Sequence, residues 1–203
     1  CGGSTGGGAV ALATGEVWLA HGSDHGGSLR RPATYCSVVG MRPSPGRVTR
    51  GTEEDLYSPL SVQGPMARNV ADLALFLDTM AGWDLHDPLT YDAPARSYVA
   101  TVAAAEAERP KRIAFTADFG GALPMDREMA EICAREVRRF EALGCEIEEV
   151  QPELGALMDA FLVLRSQHFV VDREKLLATQ RDKLKPDIIW QTERGLSETP
   201  SRL

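Results

Sequence analysis

Two glycine turns decide how this chain is read: Gly2-Gly3-Ser4-Thr5-Gly6-Gly7-Gly8 and Gly22-Ser23-Asp24-His25-Gly26-Gly27-Ser28-Leu29-Arg30. Glycines in such close succession read as tight turns, because glycine tolerates backbone angles that other residues avoid. Between them, the small residues 9–14 suggest a short helix packed closely on its neighbours, and 17–20 a buried strand. Each turn presents a hydroxyl, Ser4 in the first and Ser28 in the second. The successive N–H groups around Gly26, Gly27 and Ser28 can converge on one point, the arrangement that a developing oxyanion needs. Ser28, at the exit of that nest, is placed to attack. A phosphate loop is the competing reading of such turns. It fails because no Gly-Lys-Ser/Thr follows either one.

Outward from the turns, 29–39 holds Pro32, which suits the first turn of a short helix. The clearest helix is 69–81: Val70, Leu73, Ala74, Leu77 and Met80 share a face, Asn69 can cap its start and Gly82 its end. Residues 83–110 read as a loop with a short helical stretch at 97–108, and make the best internal boundary. From 113 the order is strand (113–116), a loop with Gly120, Gly121 and Pro124, helix (126–143), Gly144, then strand (145–150), a βαβ rhythm. An apolar run at 154–171 and a Lys-rich stretch to 185 read as further helix interrupted at Pro186. The fold class is therefore α/β.

The 203 residues, 43% hydrophobic and 25% charged, are enough for one sizeable α/β domain or two small ones. The net charge of −7 is unevenly spread. The first 50 residues carry Arg30, Arg31, Arg42, Arg47 and Arg50 against Glu16 and Asp24. A locally basic, Gly-rich segment in an acidic chain suits a small polar or anionic ligand rather than nucleic acid, and no nucleic-acid partner is expected. Cys1, Cys36, Cys133 and Cys145 lack the spacing of a metal site or disulfide scaffold and are expected as reduced thiols. No apolar run has the length of a membrane helix, so no membrane partner is expected and the protein reads as cytoplasmic. The scattered His21, His25, His86 and His168, and Trp18, Trp83 and Trp190, read as surface or packing residues. Cys1 running straight into a glycine turn reads as an opening in the middle of a longer sequence.

The run from Gly2 through Arg30, continuing to Pro32, Cys36, Gly40 and Pro43, resembles the signature of the amidase signature family. The segments Ser58-Pro59-Leu60-Ser61-Val62-Gln63-Gly64-Pro65 to Asp72, and Asp118 to Pro124, are also similar to it, so the resemblance covers most of the chain. It implies an amidase that hydrolyses a carboxylic amide through an acyl-enzyme, on a partial amidase signature fold, an α/β fold with a mixed sheet sandwiched between helices, and with no metal or organic cofactor. Ser28 is then the nucleophile and Ser4 the bridging serine, preceded by a cis peptide. His25, Gly26 and Gly27 supply the oxyanion hole, His25 through its backbone alone. Thr5, Asp24 and Arg30 support the site, with Asp24 and Arg30 pairing across the loop.

In the family the third catalytic residue is a lysine upstream of the first glycine turn, and Lys111, Lys175, Lys183 and Lys185 all lie downstream in sequence that does not match its motif. The chain is thus expected as a single domain truncated at both ends, 1–82 being the catalytic signature segment and 111–203 a βαβ and helical segment. Alone, it is expected to be inactive or weakly active. The partner expected is a small amide, with homo-oligomerisation left open. Two alternatives stand beside this reading: a catalytically dead remnant, and the amidase subunit of a glutamyl-tRNA amidotransferase.

Overall fold

A computed structural model describes residues 2–51 and 56–202. The chain divides into two compact units, one built from the residues up to Ala103 together with those from Val163 onward, the other from Ala104–Leu162. The segment expected as one piece over 111–203 is therefore shared between the units, because the helices after Val163 pack with the first.

In the first unit, α1 (Gly6–Ala13), β1 (Leu19–Asp24), α2 (Arg30–Cys36), β2 (Val39–Gly40), β3 (Val62–Ala67) and α3 (Val70–Met80) follow one another. The strands form an antiparallel sheet in the order β1-β3-β2, and its register runs from Leu19 opposite Ala67 to Asp24 opposite Val62. Gly22, Ser23 and Asp24, read as part of the second glycine turn, are the paired end of β1, and the turn begins at His25. Three further expectations need correction. Gly6, Gly7 and Gly8 open α1 rather than extending the turn, since residues without bulk let that helix lie close to the sheet. The strand starts at Leu19; Trp18 before it is exposed. The central strand β3 has no counterpart among the expected elements, because Gly64 and Pro65 argue against a central strand, yet Pro65 is buried.

Helix α3 follows its periodicity except at Val70, which is exposed in its first turn. Asn69 accepts a hydrogen bond from the Asp72 N–H at 2.8 Å, while Leu73, Ala74 and Leu77 are buried. The core of the sheet region is Ala9, Leu12, Leu29, Ala33 and Met66, with Ala20, Cys36 and Val38 packed against it. It ties α1 and α2 to β3, the elements that carry both glycine turns. Leu12 is fully buried there, so Leu12→Ala should cost about 3 kcal/mol through lost burial and the cavity left behind. Urea unfolding measures it; a change below about 1 kcal/mol would contradict this packing.

After α4 (Tyr98–Ala104), the second unit holds β4 (Arg112–Phe115), α5 (Arg127–Val137), a 3-10 turn at Arg138–Leu143 and β5 (Glu146–Glu149). β4 and β5 are parallel, which gives the expected βαβ crossover. The helix expected to run to 143 tightens after Val137 and ends at Gly144, whose φ is +85°. The sheets of the two units are thus separate pieces, one antiparallel and one parallel.

Helix α6 (Leu157–Gln180) leads to α7 (Pro186–Ser197), in which Pro186 starts a helix rather than merely interrupting one. α7 lies so close to α6 that a Cβ on Gly195 would come within 2.4 Å of the Ser166 carbonyl oxygen. Gln167 Nε2 donates to the Gly195 carbonyl at 2.8 Å. These contacts fix the rotation of α6 from Val163 onward. Cys36, Cys133 and Cys145 are free thiols, and Cys1 lies outside the described residues. Among the described residues no helix is long and apolar enough to cross a membrane.

Candidate active site

The end of β1 sets the site. Asp24 is the last residue of the strand and is completely buried, beneath the turn that follows it. Its Oδ1 accepts the Gly27 N–H at 2.8 Å, and Oδ2 accepts the Leu29 N–H at 3.3 Å and the Arg30 N–H at 3.4 Å. Arg30 closes on the same carboxylate with both arms, Nε at 2.9 Å and Nη2 at 3.0 Å. Arg42 Nη1 donates to the Asp24 carbonyl and approaches Oδ1 at 3.4 Å. Burial alone would push this carboxyl up. The Arg30 and Gly27 hydrogen bonds overcome it and hold Asp24 well below the usual carboxylate range. The pair foreseen between Asp24 and Arg30 is therefore present, and it shapes the whole turn.

The Gly27 amide, expected among the oxyanion donors, is committed to Asp24 instead. The reason is position: the buried carboxylate draws in the amides above it. Gly27 has φ +101°, a backbone angle that side chains rarely adopt, so glycine is favoured there, and the Arg31 side chain lies over it.

Both serines and the rest of the turn meet at one hollow. A cavity of about 420 Å³ is lined by Ser4, Ser23, His25, Gly26, Ser28, Arg31 and Ser61, and from α6 by Arg165, His168, Phe169, Asp172 and Arg173. The first turn reaches it through a cis Gly3–Ser4 peptide. The Thr5 N–H donates to the Ser28 carbonyl at 3.2 Å, tying the two turns directly together. Thr5 Oγ1 reaches the Ser23 carbonyl at 3.5 Å. Ser4, Ser28, His25 and Gly26 are thus brought together, Thr5 joins the turns, and Asp24 and Arg30 brace them from behind. No lysine is among the described residues that line the cavity.

The His25 side chain, expected to be incidental, also lines this cavity. Its ring packs on His168 with centroids 4.7 Å apart. Burial, then the positive fields of His168 and Arg165, push its imidazole down to about 4, so it is neutral near pH 7. His168 Nε2 lies 3.3 Å from Asp172 Oδ2.

Sequence reasoning missed the α6 wall. Its signal was available: Arg165, His168, Phe169 and Asp172 fall at i, i+3, i+4 and i+7, one face of a helix. A separate groove of about 580 Å³ in the second unit is lined by Glu136, Arg139, Phe140, Ala142 and Leu143. It is larger, but no hydroxyl or thiol nucleophile lines it.

Comparison with known proteins agrees with this geometry. Residues 1–197 match the family described as Amidase. The chain is 40% identical over 152 residues to a glutamyl-tRNA(Gln) amidotransferase subunit from Moorella thermoacetica (strain ATCC 39073 / JCM 9320), covering 73% of this chain and 30% of that protein. Among solved structures, a bacterial aryl acylamidase of the amidase signature enzymes superposes with a TM-score of 0.85 at 27% identity, over 99% of this chain and 43% of that one. A peptide amidase complexed with chymostatin gives 0.70 at 31% identity, over 88% of this chain and 37% of that one. The chain spans about a third of the length of the curated relatives it matches.

Proposed function

The chain belongs to the amidase family, and from that premise we propose that it carries the acyl-transfer centre of an amidase, with Ser28 as nucleophile and Ser4 as the hydroxyl that relays its proton. The observation that supports this best is the meeting of Ser4 and Ser28 at one cavity, with Thr5 and Ser28 hydrogen-bonded between the turns.

Ser28 Oγ attacks the carbonyl carbon of a carboxylic amide and gives up its proton toward Ser4, which passes its own proton to a base. A serine hydroxyl is too weak a nucleophile to act without that transfer. The carbonyl oxygen gains negative charge as the tetrahedral intermediate forms, and the backbone amides of His25 and Gly26 face it. The proton then returns along the same path to the leaving nitrogen, the C–N bond breaks, and the amine departs. Water repeats the sequence on the ester, releasing the acid and restoring Ser28. The family's base is a lysine N-terminal to the first glycine turn, and none of the lysines in this sequence occupies that place.

A fluorophosphonate tests the nucleophile directly. Its phosphorus bonds to the attacking oxygen with loss of fluoride, and peptide mapping should find the adduct on Ser28. An adduct on another residue would overturn the assignment. The 40% identity to the amidotransferase protein supports a second reading, the amidase subunit of a glutamyl-tRNA amidotransferase. Favouring the first reading is the structural likeness to an aryl acylamidase, with a TM-score of 0.85.

A further inference from the structure

We propose that His168 is a positioning residue for the oxyanion turn: held by Asp172 on α6, its ring braces the His25 ring and so fixes the His25 N–H that faces the substrate carbonyl. This role rests on the amidase reading, which makes that N–H a donor to the oxyanion.

The turn itself creates the need for a brace. Asp24 holds the amides of Gly27, Leu29 and Arg30, which fixes the second half of the turn but commits the Gly27 donor. The oxyanion is then faced by the His25 and Gly26 amides at the start of the turn. Such donors stabilise a developing charge because they are aimed before it forms, so whatever sets their direction contributes to the rate.

The His25 N–H shares one peptide plane with the Asp24 carbonyl, and Arg42 Nη1 donates to that carbonyl. A plane held at one edge can still rotate. Its other edge is the His25 Cα, which carries the imidazole, and that ring packs on His168 with centroids 4.7 Å apart and ring planes 45° apart. Arg42 and His168 therefore grip the same peptide unit from its two ends.

His168 is itself fixed in place. Its Nε2 lies 3.3 Å from Asp172 Oδ2, one turn further along α6, and Phe169 stands edge-on to it with centroids 6.3 Å apart. The rotation of α6 that aims His168 at the turn is set by α7, through the close approach of Gly195 to the Ser166 carbonyl and the bond from Gln167 Nε2 to the Gly195 carbonyl. Charge does not oppose the ring contact near pH 7. His25 is faced by His168 and Arg165 from α6, by Arg42 from the segment after β2 and by Asp24 from its own strand. Burial first, then the fields of His168 and Arg165, push its imidazole down to about 4, so it meets His168 as a neutral ring.

Amide ¹⁵N relaxation of the 203-residue chain reads the brace directly. His168→Ala should lower the order parameters of the His25 and Gly26 amides from the rigid range of about 0.85 toward about 0.6, while those of Gly27 and Leu29, held by Asp24, stay unchanged. His168→Phe returns a ring to the same place and should restore them. Asp172→Ala removes the carboxylate that holds the His168 ring and should lower them part of the way; where His168→Ala does not fold, this variant decides. Weaker folding by itself would loosen all four amides alike. In a protein that also carries the family's lysine, His168→Ala should lower kcat about tenfold with KM within about twofold, since the oxyanion forms only on the way to the transition state, and His168→Phe should recover most of the loss. Unchanged order parameters at His25 and Gly26, or an unchanged kcat, overturn the proposal. Absence of amide hydrolysis by the wild type with its lysine overturns the amidase reading instead, and the relaxation data still decide whether His168 holds the turn.

Discussion

In a protein that also carries the family's lysine, Ser28→Ala is expected to lower kcat for amide hydrolysis by at least about 10⁴-fold while leaving the fold in place. The two halves of that result have separate causes. Activity depends on one oxygen, since without it no acyl-enzyme can form and only the binding and polarising groups remain. Those groups can leave a residue of catalysis roughly 10³–10⁴ above the reaction in water, so a small remaining rate is consistent with the assignment. Stability depends on the rest of the turn. The Thr5 N–H bonds to the Ser28 carbonyl and not to its side chain, and Asp24 holds the amides on either side. Ser28 is only partly buried, so loss of its hydroxyl should shift unfolding by less than about 0.5 kcal/mol. Steady-state kinetics with urea unfolding on the same preparation reads both quantities. Turnover within tenfold of the wild type would refute Ser28 as nucleophile, and joint loss of turnover and folding would leave the fluorophosphonate adduct to decide. Ser4→Ala should cost less, because a water filling the space of the lost hydroxyl can relay the proton.

What the sequence revealed and what it hid follow from how far each interaction reaches along the chain. Helix α3 was legible because its signals are local: Asn69 caps within three residues and the apolar face recurs at helical spacing. The brace between Asp24 and Arg30 was legible because both ends sit in one short turn. β3 was hidden because a buried strand with Gly64 and Pro65 in it satisfies its pairing only through β1 and β2, which lie on its two sides. The α6 wall was hidden for a related reason. Arg165 and His168 show a helical stripe, but nothing local says that this stripe faces residues near 25 and 28; that is decided where α7 packs on α6 around Ser166, Thr192 and Gly195. The Gly27 amide illustrates the opposite error. A run of glycine amides looks like a nest for a ligand, but a buried carboxylate three residues earlier claimed one of the donors.

That carboxylate supports the second large expected effect. Asp24→Asn keeps the shape of the side chain and replaces one acceptor oxygen with an NH₂ group. The Asp24 carboxylate is ringed by donors: the amides of Gly27, Leu29 and Arg30 and the guanidiniums of Arg30 and Arg42. One edge of that ring would then face a donor with a donor, and two arginines would lose their shared anion. Removing one side of a buried charged network costs roughly 3–5 kcal/mol. Here the lower end applies, about 3 kcal/mol, since the Arg30 side chain is 54% exposed and can rehydrate.

Turnover should fall with stability, because the same amides set the position of Ser28. The pH dependence provides an independent check. Asp24 is held below the ordinary carboxylate range in the folded state, so its contribution is fully present above the unfolded value of about 4 and is lost as pH falls below it. The wild type should therefore lose stability on acidification below about pH 4, and Asp24→Asn should lack that part of the slope. Urea midpoints measured at pH 7 and pH 3 for both proteins give four numbers: the difference between the proteins should be largest at pH 7 and should shrink at pH 3. A difference that is the same at both values would mean that the side chain acts through shape and hydrogen-bond count rather than through its charge, and the electrostatic account of the turn would fail.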